Sequence, residues 1–205
     1  MQLPDVHVVM NDISEGMLRD TKRELQNILD HNNRPDFHSD FIFHSFDCHE
    51  IPYDDESFDL IIANHVLFYL DDLQRALSEI RRTLKPQGIL ICSTYGASHM
   101  KEITTLVQKF NSSIILSADK LYERFGLDNG ASMLSPYFTS IKRAIYEDEL
   151  IVDKAEPLIE YILSCHGNQN QYLLDRYKDF RTYVERKTKK NFHITKYSGI
   201  FICRK

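Results

Sequence analysis

Three apolar runs in this chain each lead to a side chain that can hold a polar ligand. Val6 to Met10 precedes Asp12, Phe41 to Phe46 precedes Asp47, and Phe58 to Ala63 precedes the Asn64-His65 pair. A carboxylate standing just past a strand offers two acceptor oxygens, which suits the two hydroxyls of a ribose. The same group after a neighbouring strand can accept from an exocyclic adenine amino group. Asp12 also has a plainer reading, because with Ser14 it can simply start a helix. Ribose, base and a third contact at successive strand ends together point to a nucleoside-type ligand at one sheet edge. His65 and His99 titrate near neutrality and are candidate general bases, with a structural hydrogen-bonding role as the alternative for each. The nine histidines and the Cys48-His49 neighbours show no zinc-ligand spacing, so no metal site is expected.

The elements that must position these groups follow from periodicity and turn chemistry. Val6 to Met10 reads as a strand; Ser14 caps a helix whose apolar face is Met17, Leu18, Leu25, Ile28 and Leu29, and His31 to Pro35 ends it. Phe41 to Phe46 and Phe58 to Ala63 are the next strands. Asp71 or Asp72 caps a helix with Leu73, Ala76, Leu77, Ile80 and Leu84 at helical spacing, and Pro86 with Gly88 stops it before the strand Ile89 to Ser93. Phe58 to Thr94 reads as one parallel β/α/β unit, and its two near-continuous apolar strands suit a sheet covered on both faces.

Helices are expected at Met100 to Phe110, Ala118 to Phe125 and Met133 to Tyr137, then a strand at Ser140 to Tyr146. A long helix is marked by Leu173, Tyr177, Phe180 and Val184, and a closing strand by Phe192 to Thr195 with Gly199 to Cys203. The fold class is α/β: a Rossmann-like, open, mostly parallel sheet in a single domain over 1–205, with residues 96–138 as a helical insertion that caps the ligand edge.

With 205 residues, 42% hydrophobic and 27% charged, the chain can bury a full core, and its net charge of −5 argues against a nucleic-acid partner held by an overall positive field. The basic run from Arg176 to Lys190 reads as a solvated helix face. Cys48, Cys92, Cys165 and Cys203 form no C-x-x-C pair, which fits a reducing compartment. No charged-then-apolar leader or membrane-length apolar run is present, so a cytoplasmic protein is expected.

Two motifs carry a family resemblance. IPYDDESFDLIIANHVLFYL and TLKPQGILICST resemble the central signature of the class I S-adenosylmethionine-dependent methyltransferases of small-molecule type. The likeness runs from Val6 to about Lys109 and more loosely to the end, where YSGIFICRK resembles a final strand. It implies S-adenosylmethionine as cofactor, with Asp12 on its ribose, Ile13 against adenine, Asp47 at the adenine amino group and Cys48 contacting through its backbone. Asn64 and His65 would lie near the methionine part. Phe68, Tyr69, Tyr95, His99 and Met100 would line the pocket of a small-molecule acceptor, which takes the methyl by in-line displacement. Tyr122 and Tyr137 are further aromatic candidates for that pocket.

The chain departs from the family in one respect. Members carry a first strand and a turn of the form D/E-x-G-x-G-x-G, and no glycine occurs here before Gly16. That strand would be the central one, between those ending at Asp12 and Asn64. An N-terminal truncation is therefore expected, with Met1 to Asp5 as the end of a loop. The alternative is a non-catalytic methyltransferase-like protein that acts through protein association. Two unpaired strand edges would invite self-association in either case.

Overall fold

The computed structural model describes residues 6–32, 40–117 and 120–205. At its centre, strand β3 (Phe58–Asn64), helix α2 (Leu73–Thr83) and strand β4 (Leu84–Tyr95) form the parallel unit, with a short 3-10 turn at Leu67–Tyr69 between β3 and α2. Asp72 caps α2 by accepting from the Arg75 amide, and Ala76, Leu77, Ile80 and Thr83 form its buried stripe. That spacing places one face of α2 on the sheet.

The helix ends at Thr83, before Pro86, rather than at the Lys-Pro-Gln-Gly segment expected to stop it. Strand pairing already begins at Phe58 with Leu84 and resumes at Leu60 with Ile89, so Lys85 to Gly88 is an excursion within β4. A Cβ on Gly88 would lie 2.9 Å from a Leu84 methyl carbon and 3.0 Å from the Lys85 carbonyl, which explains the glycine there.

β4 continues antiparallel to β6 (Phe192–Arg204), and β6 pairs along its full length with β5 (Ser140–Val152), giving the order β3-β4-β6-β5. β6 is continuous where two segments are expected, and β5 extends beyond Tyr146. Only residues from Ser198, opposite Tyr95, to Arg204 pair with β4. The far halves of β5 and β6 therefore project past the sheet as a two-stranded ribbon. Between its strands lie α6 (Ala155–Ser164), α7 (Gln169–Leu173) and α8 (Tyr177–Thr188). Sequence reasoning misses α6 and fuses α7 with α8, although Leu158, Ile159 and Ile162 are buried at helical spacing. Between β4 and β5 lie α3 (Lys101–Phe110), α4 (Leu121–Arg124) and α5 (Gly130–Leu134), the last starting three residues before the expected Met133. The expected start of α4 at Ala118 lies outside the described residues.

Two apolar clusters result. One joins β3, β4 and β6 to α2, α4 and α5 through Leu77, Leu90, Phe125 and Phe201. The other joins α3, α6, α7 and α8 through Val107, Ile159, Leu173 and Phe180. The ribbon is thus weighted by a helical layer that packs on α3, directly after β4.

β1 (His7–Met10) and β2 (Asp40–Phe43) form a separate parallel pair, joined by α1 (Glu15–Asn32). Pro35 and its neighbours, expected to end α1, lie outside the described residues, as do Met1 to Asp5. β2 stops at Phe43 rather than Phe46 because the chain then turns to β1's end: the Phe46 amide donates to Asn11 Oδ1 at 3.0 Å and Ser45 Oγ to the Ile13 carbonyl at 3.3 Å. Among the described residues, β1 pairs only with β2 and β3 only with β4, so each has one open edge. The β3 face turned away from α2 is also open, with Leu60 and Ile62 47% and 57% exposed. No helix among the described residues is long and apolar enough to cross a membrane.

Candidate functional site

The carboxyl ends of β1 and β2 lie side by side, since Met10 is in register with Phe43 and the strands are parallel. Asp12 follows the first. One of its oxygens accepts the Ser14 amide at 2.8 Å, so the helix-start reading is met by Oδ1 alone, and Oδ2 stays available. Ser14 Oγ in turn accepts the Met17 amide at 3.3 Å. Ile13, 74% exposed, stands beside Asp12 with its apolar side chain in the open.

Asp47 stands beyond β2. Its Oδ1 accepts both the His49 amide at 2.9 Å and, at 2.6 Å, His49 Nδ1. The backbone donor first, then the ring, hold this carboxyl below the usual range. The loop is pinned to α2, since His49 Nε2 accepts the Asp72 amide at 3.4 Å and the His49 carbonyl accepts from Arg75 Nε at 2.9 Å. Asp47, Cys48 and His49 place one ligand atom each within 4.8 Å of one another. Both His49 nitrogens are already engaged, and burial followed by the Asp47 charge pushes the Cys48 thiol up, so the trio serves as a hydrogen-bonded turn.

At the end of β3, Asn64 Oδ1 accepts from Ser93 Oγ at 3.4 Å, and the same Ser93 oxygen accepts the His65 amide at 3.0 Å. His65 has φ of 50°, a left-handed conformation that a non-glycine residue adopts at a cost and that recurs at ligand sites. Both side chains are exposed.

From there an aromatic line crosses to β4. The Phe68 ring lies 6.0 Å from His65, 4.7 Å from Tyr69 and 5.4 Å from Tyr95, and Tyr95 lies 5.4 Å from His99 and 6.3 Å from Tyr122. Phe68 is buried, whereas Tyr69 is 62% exposed. Met100, also left-handed at φ 55°, receives the Tyr161 hydroxyl of α6 at 3.7 Å from its sulfur. The structure therefore groups Phe68, Tyr69, Tyr95, His99 and Met100 and adds Tyr161, which sequence reasoning misses because α6 itself goes unrecognised. Burial first, then the neighbouring Tyr69, Tyr122 and Tyr161, raise the Tyr95 phenol, so it stays a protonated donor at neutral pH.

Tyr137 is not among them. It lines a groove of about 520 Å³ on the outside of α2 with Leu73, Leu77, Arg124 and Met133. That groove contains none of the strand-end groups.

The β3-α2-β4 unit and the β1-β2 pair are open, parallel α/β arrangements of the kind that bind ligands beyond the carboxyl ends of their strands. Residues 2–92 match the model of a family described as methyltransferase domain. That match spans a little under half of the chain and shows a likeness to a methyltransferase domain over that part.

Among curated proteins, a malonyl-[acyl-carrier protein] O-methyltransferase of Methylovorus is 30% identical over 115 residues, 54% of this chain and 36% of its own length. The human mitochondrial arginine-hydroxylase NDUFAF5 is 33% identical over 58 residues, 28% of this chain and 17% of its own. The chain thus covers well under half of these relatives. The YcgJ protein of Bacillus subtilis superposes with a TM-score of 0.59 at 16% identity, over 96% of this chain and 81% of that one, a likeness of fold.

Proposed function

We propose that this chain is the cofactor- and acceptor-binding part of an S-adenosylmethionine-dependent methyltransferase that acts on a small or carrier-bound acyl acceptor. What carries the reading is the pairing of Asp12 and Asp47 just past adjacent parallel strand ends, joined by the Asn11 and Ser45 hydrogen bonds, with exposed Ile13 next to Asp12. These residues fit the nucleoside end of the cofactor. Asp12 Oδ2 would hold the ribose hydroxyls, Asp47 the adenine amino group, and Ile13 and the Cys48 backbone the base. Asn64 and His65 would lie by the methionine part.

When bound, the cofactor supplies an activated methyl group. The protein's contribution is then position, and holding an acceptor in line can be worth an effective molarity of about 10⁵ M or more. Phe68, Tyr69, Tyr95, His99 and Met100 bound the space an acceptor would fill, under the α3 and α6 cover. The carrier-bound malonyl group named for the Methylovorus relative is the acceptor class to try first. The four free cysteines support a cytoplasmic setting.

The family match favours catalysis over association alone. The open edges of β1 and β3, with exposed Leu60 and Ile62, nevertheless support self-association of the chain as it stands. The reaction is tested by incubating the chain with S-adenosylmethionine and either malonyl acyl carrier protein or a malonyl thioester, with mass spectrometry as readout. Gain of one methyl on the acceptor with matching S-adenosylhomocysteine is expected. Absence of turnover with both acceptors, in a chain that binds the cofactor, contradicts acyl methylation.

A further inference from the structure

His99 lies half-buried between β4 and α3, with Nδ1 3.1 Å from the backbone nitrogen of Tyr197 on β6. A backbone amide can only donate, so Nδ1 must present its lone pair. In a neutral imidazole the proton then sits on Nε2. Nε2 has no hydrogen-bond partner among the described residues, while the ring stands 5.4 Å from Tyr95 inside the aromatic line. Desolvation first, then the nearby His65 and Lys196, hold this imidazole below its usual range, which keeps it neutral at pH 7.

The groups around it are also donors or already engaged. Tyr95 on β4 stays protonated, and the Tyr161 hydroxyl from α6 is directed at Met100. Glu102 of α3 spends one oxygen on the Thr195 amide at 3.0 Å and the other on Thr195 Oγ1 at 2.7 Å. Lys196 is paired with Asp148 at 3.4 Å, and Asp128 takes the Tyr197 hydroxyl at 3.5 Å.

We propose that His99 offers its Nε2–H to the methyl acceptor as a hydrogen-bond donor and is not its general base, so that the acceptor must arrive already ionised, as a carboxylate does. This rests on the methyltransferase reading of the site. A carboxylate oxygen forms the new O–C bond as the methyl-to-sulfur bond breaks and leaves its electron pair on sulfur. No proton is transferred, so no base is needed. An amine or phenol acceptor would have to lose a proton, and His99 in this tautomer has no lone pair on Nε2 to take it.

The test is a long-range proton–nitrogen spectrum of the histidine rings in the full chain, with S-adenosylhomocysteine present. Three probes of one shape are titrated in: malonyl-N-acetylcysteamine, its methyl ester and the corresponding amine. At pH 7, His99 should show Nε2 protonated and Nδ1 bare, and only the carboxylate probe should shift the Nε2–H signal. His99→Gln, which keeps a donor and loses basicity, should bind the probe within about threefold of the native chain. His99→Ala should bind it more than about tenfold more weakly, the scale of one hydrogen bond to a charged group.

If His99→Ala does not fold, the native spectra and His99→Gln still decide the matter. An Nδ1–H tautomer, preference for the amine, or equal loss in His99→Gln and His99→Ala overturns the proposal. If the tautomer and carboxylate binding hold while no methyl is transferred, the reaction assignment fails and the His99 role stands.

Discussion

The amide of Tyr197 and Nδ1 of His99 lie 3.1 Å apart, joining β6 to the loop after β4 across 98 positions of sequence. The partners are fixed from both sides, because the Gly96 amide donates to the Tyr197 carbonyl at 3.0 Å and the Met100 amide to the Thr195 carbonyl at 2.8 Å. Gly96 also leaves room for the Tyr197 ring. A Cβ there would lie 2.2 Å from a ring carbon.

Gly96→Ala should therefore displace Tyr197 and loosen the His99 ring. The overpacking cost is about 1 to 3 kcal/mol, which thermal unfolding should register as a lowered midpoint. An unchanged midpoint together with an unchanged His99 tautomer would show that the Gly96 contact does not set the ring.

His99 also gives stability a pH dependence of defined sign. Its folded-state pKa lies below the ordinary histidine value of 6.5, so as pH falls through that value the unfolded chain takes up a proton before the folded one does. The contribution is fully present above pH 6.5 and is lost as pH falls toward the depressed folded value. Urea unfolding at pH 7.5 and 5.5 should show a larger acid loss for the native chain than for His99→Gln. A larger loss in the variant would reverse the sign and remove the desolvation argument.

Asp12→Ala should weaken S-adenosylhomocysteine about tenfold or more, the scale of losing charge-assisted hydrogen bonds to the ribose. Its stability cost should be only about 1 kcal/mol, since the Ser14 amide loses its partner at an exposed site. Calorimetry and urea unfolding separate the two effects, and unchanged affinity in the folded variant would dismiss the ribose role.

The strand ends at Asp12, Asp47 and Asn64 are legible in the sequence because each follows an apolar run that local pattern alone defines, as is α2 from its cap and stripe. α6 is not, since Asp153, Lys154, Glu156 and Pro157 interrupt the apolar pattern just ahead of the Leu158, Ile159, Ile162 stripe. The split of α7 from α8 falls at Leu174 to Arg176, where no glycine or proline marks it. The excursion at Lys85 to Gly88 resembles a helix stop because proline and glycine punctuate both. Contacts such as Tyr197 with His99 have no local signal. They arise only when β6 returns beside β4, and with them goes the tautomer that turns a candidate base into a donor.

Arg82 ties the loop before β3 to α2. Its guanidinium reaches both Glu79 oxygens at 2.8 Å, Asp55 at 2.9 Å, and the Ile51 and Tyr53 carbonyls at 2.9 Å. Arg82→Ala leaves these acceptors without their donor and should cost on the order of 2 kcal/mol, read as a lower urea midpoint with the slope unchanged. A loss under about 0.5 kcal/mol would class it with surface ion pairs of little consequence.

Leu60 and Ile62 bear on association. Ile62→Lys on the open face of β3 should lower the concentration-dependent mass seen by sedimentation without changing the fold of α2 and β4. A native chain that stays monomeric at every concentration would remove the self-association reading.

The most direct test of the proposed cofactor site is a calorimetric titration of the chain with S-adenosylhomocysteine, repeated on the Asp12→Ala, Asp47→Ala double variant. Saturable one-site binding is expected in the native chain and loss of it in the folded variant, with ligand at about 100 times its dissociation constant stabilising the native fold by about 2.7 kcal/mol. Absence of binding to the native chain, or binding that survives in the double variant, contradicts the assignment of these strand ends to the cofactor.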